Sequence, residues 1–140
     1  MSDSQKYAEE KRVLLAFKKL MPDFPKGKIV KSESPDFILK TSPKRAIGIE
    51  LVQLIVNEEA EDLFEKLIKL LQKKEEKLQL YQKKRLNNYW LIVYINSLEE
   101  RSLHNLIKRF SERPFSTSFD SLFLFDEKKD WYMYYNPKII

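Results

Sequence analysis

The pattern of hydrophobic and polar positions along the chain predicts nine secondary-structure elements. The predicted helices, with apolar residues at spacings of three and four, cover residues 5–21, 57–86 and 98–110. The predicted strands, which are alternating or continuously apolar, cover residues 27–33, 35–41, 46–54, 89–95, 121–126 and 131–136. The order α-β-β-β-α-β-α-β-β predicts a single α+β domain over residues 1–140, in which helices flank a mixed sheet.

The first two predicted helices each have an inward apolar stripe. In the first helix, Val13, Leu14 and Phe17 form this stripe, and Glu10 lies on the same helical face as Leu14 and Phe17. In the second helix the stripe consists of Leu63, Leu67, Leu70, Leu71, Leu78 and Tyr81. The later half of that helix is rich in lysine.

The second and third strands form a predicted hairpin around a loop at residues 42–45. One wholly apolar face requires a register that pairs Phe37 with Ile49 and Leu39 with Ile47. The same register places Asp36 opposite Glu50, with Cβ atoms roughly 5 Å apart. Two neighbouring carboxylates repel, so they either both point into water or hold a divalent cation. The apolar residues around Glu50 count against two solvated acids, because an uncompensated acid pair inside a sheet is costly. Both interpretations stay open on the residues alone.

Composition limits the chemistry that the chain can perform. With 140 residues, 43% hydrophobic and 34% charged, we expect a soluble globular domain. No apolar run approaches the roughly 20 residues of a membrane span, and no secretory signal is visible, so a cytoplasmic location is expected. The absence of cysteine, the single His104 and the two glycines exclude thiolate sites, multi-histidine zinc sites and P-loops. An enzyme would have to use carboxylates, lysines, hydroxyls or a bound hard metal.

The motif Pro35-Asp36-Phe37, followed by Gly48-Ile49-Glu50 in the next strand, resembles the PD-(D/E)XK nuclease superfamily. That resemblance implies a restriction-endonuclease-like αβββαβ core over roughly residues 5–96, followed here by a further helix and two strands. It also implies phosphodiester hydrolysis in nucleic acid, with DNA as the expected substrate. Mg²⁺ or Mn²⁺ would be held by Asp36, Glu50 and the backbone carbonyl of Leu51. Glu10 would be the helical glutamate that some members add.

The sequence departs from the motif at its lysine, because Val52 stands in that position. Some members of the superfamily supply the lysine from the following helix. Lys66 and Lys69 are therefore the candidates here, although either side chain could equally be solvated.

The net charge of +5 is compatible with a polyanionic partner. The candidate phosphate-binding residues on the second helix and after it are Lys73, Lys77, Lys84 and Arg85. A solvated helical face would give the same pattern. Many nucleases of the superfamily dimerise, so the resemblance is compatible with a homodimer. No membrane partner is expected.

The sequence is also compatible with two alternatives to an active nuclease. One is a catalytically inactive module on the same fold that binds nucleic acid or a protein, with Asp36 and Glu50 as remnants. The other is an unrelated α+β interaction domain in which both acids are exposed. Val52 is the residue that is compatible with an inactive module, because it replaces the lysine of the motif.

Overall fold

The computed structural model describes residues 2–33, 35–55, 63–81, 86–95, 99–112 and 117–135. Its helices are α1 (Asp3–Leu20), α2 (Leu63–Tyr81) and α3 (Glu100–Glu112). Its strands are β1 (Lys28–Lys31), β2 (Phe37–Ser42), β3 (Arg45–Gln53), β4 (Asn88–Ile95), β5 (Ser121–Asp126) and β6 (Trp131–Tyr135). The predicted α+β class and the predicted element order are both confirmed.

The six strands form one open mixed sheet in the order β1-β2-β3-β4-β5-β6. The pairs β1/β2, β2/β3 and β5/β6 are antiparallel, whereas β3/β4 and β4/β5 are parallel. The parallel pairs follow from the helices α2 and α3, because a parallel pair needs a long crossover connection. The antiparallel pairs have short connections.

The two faces of the sheet are covered by different helices. On one face, α1 packs with Val13, Leu14 and Phe17 against the side chains of Phe37, Leu39, Ile49, Leu51, Trp90, Ile92, Tyr94, Phe123 and Phe125. On the other face, α2 and α3 cover an apolar layer that includes Leu91, Val93, Leu122 and Leu124. Covering on both faces explains why β4 and β5 are continuously apolar.

The helix α1 is capped at its start and packed against the sheet near its end. Ser2 and Gln5 form a reciprocal capping box, in which each side chain accepts a hydrogen bond from the other residue's backbone N–H. The Phe17 ring is completely buried and makes edge contacts with Phe123 and Phe125, with centroid distances of 5.1 and 5.4 Å. These contacts fix the height and rotation of α1 over the sheet, and with them the position of Glu10.

The predicted hairpin register is confirmed from Phe37 to Lys40, whereas Asp36, expected opposite Glu50, precedes β2 and is not one of the paired residues. Phe37 pairs with Ile49, Leu39 with Ile47 and Lys40 with Ala46. The connection is shorter than predicted, since Ser42 also pairs with Arg45 after an irregularity near Thr41. The apolar face therefore does set the pairing, as strand alternation requires.

The boundaries of the later helices differ from the prediction. Leu86 lies outside α2, while residues 56–62 and 82–85 fall outside the described part of the chain. Glu99 precedes α3, which begins at Glu100. Within the described ranges, no helix combines the length and the apolar character needed to cross a membrane.

Candidate active site

Asp36 lies where β3 extends beyond β2. The last pair between these strands is Phe37 with Ile49, and β3 continues to Gln53 alongside β4. Asp36 occupies a bend immediately before β2, and its backbone carbonyl accepts a hydrogen bond of 2.9 Å from the Ser32 N–H. Its Oδ2 accepts a second hydrogen bond of 2.9 Å from the Leu51 N–H. The Asp36 carboxylate is therefore anchored to the residue that follows Glu50.

The bend at Asp36 depends on close packing of Pro35 against Gly48. A Cβ atom at Gly48 would lie 2.9 Å from Pro35 Cγ and 2.7 Å from Leu86 Cδ1. Because glycine has no side chain, Pro35 can lie directly on β3 and is itself buried. The glycine two residues before Glu50 thus contributes to the position of Asp36.

Glu10 reaches Asp36 from α1. Glu10 is only 8% exposed, and its carboxyl group shares a hydrogen bond with the carboxyl group of Asp36. Burial, together with this hydrogen bond and the negative charge of Asp36, raises the pKa of Glu10 to about 7. Below that pH, the Glu10 carboxyl group is protonated and donates a hydrogen bond to the Asp36 carboxylate.

Glu50 faces α2 and interacts there with Lys74. Glu50 is 2% exposed, and its Oε1 lies 3.7 Å from Lys74 Nζ. The Lys74 side chain is itself only 16% exposed, so this ion pair is largely removed from water. A buried carboxylate needs such a partner, because desolvation of an isolated charge is very unfavourable.

These residues form one charge cluster beside the start of β2 and the later half of β3, inside the sheet rather than at its edge strands. The positive charges of Lys74 and Lys6 both act on Glu10 and oppose the rise in its pKa. Glu10 comes from α1 and Lys74 from α2, whereas Asp36 comes from the bend before β2 and Glu50 from β3. The cluster combines oxygen donors with one ammonium group, which is a composition suited to a hard cation and a phosphate.

The oxygen donors suit Mg²⁺ or Mn²⁺ better than a cation whose ligands must all come from the protein. Among the described residues, no three Asp, Glu, His or Cys side chains are arranged to hold one ion. Mg²⁺ keeps several waters and is commonly bound by one or two carboxylates together with substrate phosphate. Asp36 and Glu50 fit that requirement by their chemistry. The two backbone groups of one strand residue point to the same side, so the Leu51 carbonyl is directed to the side on which its N–H meets Asp36.

Tyr94 and Glu9 lie beside the cluster on the α1 side. The Tyr94 hydroxyl donates to Glu9 Oε2 at 3.4 Å. Burial and the nearby charges of Glu9, Glu10 and Asp36 raise the pKa of Tyr94. Tyr94 consequently remains a neutral hydrogen-bond donor at every physiological pH.

The structure brings together some of the residues that the sequence predicted and separates others. Glu10 contacts Asp36, and Leu51 contributes its backbone N–H to the same carboxylate.

Lys66 donates instead to the Ile55 carbonyl, and Lys69 is exposed. Lys73 and Lys77 are exposed on α2, whereas Lys84 and Arg85 lie outside the described residues.

Lys74 was not singled out from the sequence as a site residue, although the sequence contains a signal for it. The inward positions of α2 run Leu67, Leu71, Lys74, Leu78, with helical spacings of four, three and four. Lys74 is thus a charged residue at an apolar position, as Glu10 is in α1. A charge at an inward helical position requires a partner, and here that partner is Glu50.

Comparison of the chain with protein-family models, curated proteins and solved structures finds no match.

Proposed function

We propose that this protein is a metal-dependent nuclease of the PD-(D/E)XK type that hydrolyses phosphodiester bonds in DNA. The observation that carries the proposal is the position of Lys74, whose Nζ lies 3.7 Å from Glu50 Oε1. Val52 occupies the motif position of the catalytic lysine, so β3 itself supplies no lysine to the site. The following helix supplies this lysine instead.

The arrangement of the first six elements supports the same proposal. The order α1-β1-β2-β3-α2-β4 is the one that the resemblance implies. Asp36 lies in the bend immediately before β2, and Glu50 lies within β3, one residue beyond the last pair between the two strands. The α1 glutamate and the α2 lysine converge on the same end of β3.

Each residue has a role that its surroundings allow. Asp36 and Glu50, with the Leu51 carbonyl, would hold Mg²⁺ or Mn²⁺. When bound, the cation supplies activation of a water molecule and neutralisation of negative charge on the phosphate. The Lys74 ammonium group orients that water and stabilises the charge that develops on the phosphate. Glu10 adjusts the charge of the site through its hydrogen bond with Asp36.

One observation favours the alternative, an inactive module that binds nucleic acid or a protein. The carboxylates already have protein partners, since Asp36 accepts from Leu51 and Glu10, and Glu50 pairs with Lys74. Such contacts could maintain the fold after catalysis has been lost. The two functions differ in whether Lys74 is needed for turnover or only for stability.

The experiment is cleavage of supercoiled plasmid, single-stranded DNA and branched DNA with Mg²⁺, Mn²⁺ or EDTA. The variants Asp36→Asn and Glu50→Gln keep side-chain size and remove charge, and we expect each to lose at least about 100-fold in rate. Lys74→Arg keeps the positive charge beside Glu50 but changes the compact ammonium group to a planar guanidinium. Lys73→Arg on the same helix is the matched control, because Lys73 is exposed.

Loss of cleavage in Lys74→Arg, with an unchanged free energy of unfolding, supports a catalytic lysine. Cleavage that persists in both Asp36→Asn and Glu50→Gln would show that the site is assigned wrongly. A wild-type protein that cleaves none of these substrates but binds DNA or a protein would favour the inactive module.

A further inference from the structure

A cleft of about 290 Å³ opens beside the Glu10–Asp36 pair. It is formed by the first turns of α1, the end of β1 and the segment that leads into β2. Its lining residues are Asp3, Tyr7, Glu10, Lys31, Ser32, Glu33, Asp36 and Phe37. This volume lies just below the roughly 300–1,000 Å³ typical of small-ligand sites, so the cleft has room for about one nucleotide and not for a base pair.

Tyr7 provides an aromatic surface inside this cleft. Its ring packs on the buried Phe37, with a centroid distance of 5.9 Å and an angle of 31° between the ring planes. Lys31 Nζ lies 4.5 Å from the Tyr7 centroid, and Lys11 Nζ lies 6.0 Å from it. Both lysines are exposed, so each can leave the ring to pair with a phosphate. An aromatic ring flanked by exposed cations is an arrangement with which proteins bind single-stranded nucleic acid.

We propose that this cleft binds one unpaired nucleotide of the substrate strand, next to the phosphate at the Asp36–Glu50 site. The base stacks on Tyr7, and Lys31 and Lys11 pair with the flanking phosphates. This inference rests on the proposed function and deepens it. The substrate class is accordingly DNA with a single-stranded segment, such as an overhang, a flap or a free strand, rather than an uninterrupted duplex.

The acidic residues of the lining are compatible with a bound base. Asp3 and Glu33 are exposed at the rim, where solvent screens their repulsion of phosphate. Carboxylates accept hydrogen bonds from amino groups of bases, as Asp and Glu do with cytosine. We therefore expect a base with an amino group to bind more tightly than thymine.

The experiment measures binding of fluorescent oligonucleotides by anisotropy in Ca²⁺ and in EDTA, so that the readout does not depend on cleavage. The probes are single-stranded oligo-dC, oligo-dT and a blunt duplex of the same length, and a dC series carrying one abasic residue at each position in turn. The variants are Tyr7→Ala, Tyr7→Leu and Lys31→Gln. Tyr7→Leu keeps an apolar contact with Phe37 without an aromatic ring. Tyr134→Ala is the matched control, because Tyr134 is a 48% exposed tyrosine on β6, at the opposite edge of the sheet.

We expect oligo-dC to bind more tightly than oligo-dT and the duplex. Tyr7→Ala and Tyr7→Leu should weaken single-strand binding roughly 5- to 150-fold, the range for one stacked base. An abasic residue should weaken wild-type binding at one position and have no effect at that position in Tyr7→Leu. Lys31→Gln should reduce the salt dependence of binding by about one phosphate contact.

Equal affinity for duplex and single strand, or an abasic series unchanged by Tyr7→Leu, would overturn the nucleotide site. Binding as expected without cleavage by the wild-type protein would leave the nucleotide site standing and contradict the nuclease proposal. Cleavage of uninterrupted duplex, unaffected by either Tyr7 variant, would contradict the nucleotide site and leave the nuclease proposal standing.

Discussion

The Glu10–Asp36 pair makes the stability of the metal-free protein depend on pH. In the folded state the pKa of Glu10 is about 7, against an ordinary value of 4.5 in the unfolded chain. Below pH 4.5 the carboxyl group is protonated in both states, and Glu10 imposes no penalty. Between pH 4.5 and 7 the unfolded chain releases this proton while the folded protein retains it, so stability falls as the pH rises. Above pH 7, ionised Glu10 lowers the free energy of unfolding by its full amount, about 3 kcal/mol.

The substitution Glu10→Gln removes this titration and retains a neutral group that can donate to Asp36. We expect the variant to be more stable than wild type at pH 8, by up to about 3 kcal/mol, and nearly equal to it at pH 4.5. Urea denaturation at pH 4.5, 6 and 8, in EDTA, measures the difference in unfolding free energy between the two proteins. Because the difference is taken at each pH, titration of the other carboxylates largely cancels.

Glu76→Gln is the control for this experiment, since Glu76 is an exposed glutamate on α2 and leaves Glu10 intact. The control should follow the wild-type pH dependence. A Glu10→Gln protein that loses the same stability as wild type between pH 4.5 and 8 would refute the burial and hydrogen bonding assigned to Glu10.

Three further predictions concern packing and the cation. Gly48→Ala should lower the free energy of unfolding by about 1–2 kcal/mol, because the new Cβ meets Pro35; chemical denaturation would detect this, and an unchanged stability would contradict the close packing. Phe17→Ala should cost about 3–5 kcal/mol, whereas Leu15→Ala on the exposed side of α1 should change stability by less than about 0.5 kcal/mol. Saturating Mg²⁺ should raise the melting temperature of wild type but not that of Asp36→Asn, and equal shifts in a thermal scan would place the cation elsewhere.

The sequence predicted the pairing of β2 with β3 correctly, because apolar alternation alone determined the register. The face containing Phe37, Leu39, Ile47 and Ile49 could be apolar in a single register only, and that register is the one observed. Strand alternation is local, so it can be recognised in a short segment without knowledge of the rest of the fold. The same reasoning placed Glu10 on the inward face of α1, where it is buried.

The sequence predicted the position of Asp36 less completely. The pairing register placed it opposite Glu50 as if it belonged to a regular strand, whereas it lies in a bend and its carboxylate turns towards the Leu51 N–H. That bend depends on Pro35 packing against Gly48 and on the Ser32–Asp36 hydrogen bond. Contacts of this kind join separate segments and cannot be derived from alternation alone.

The lysine beside Glu50 shows most clearly what the tertiary structure decided. The resemblance implied that the helix after β3 could supply the missing motif lysine, but that helix carries several lysines, and the two predicted, Lys66 and Lys69, lie elsewhere. Which lysine reaches Glu50 depends on the rotation and height of α2 over the sheet, and these are set by the packing of Leu67, Leu71 and Leu78 in the core. Periodicity determines which side of a helix faces inward, whereas only the packed structure determines which residue on that side meets a given strand position.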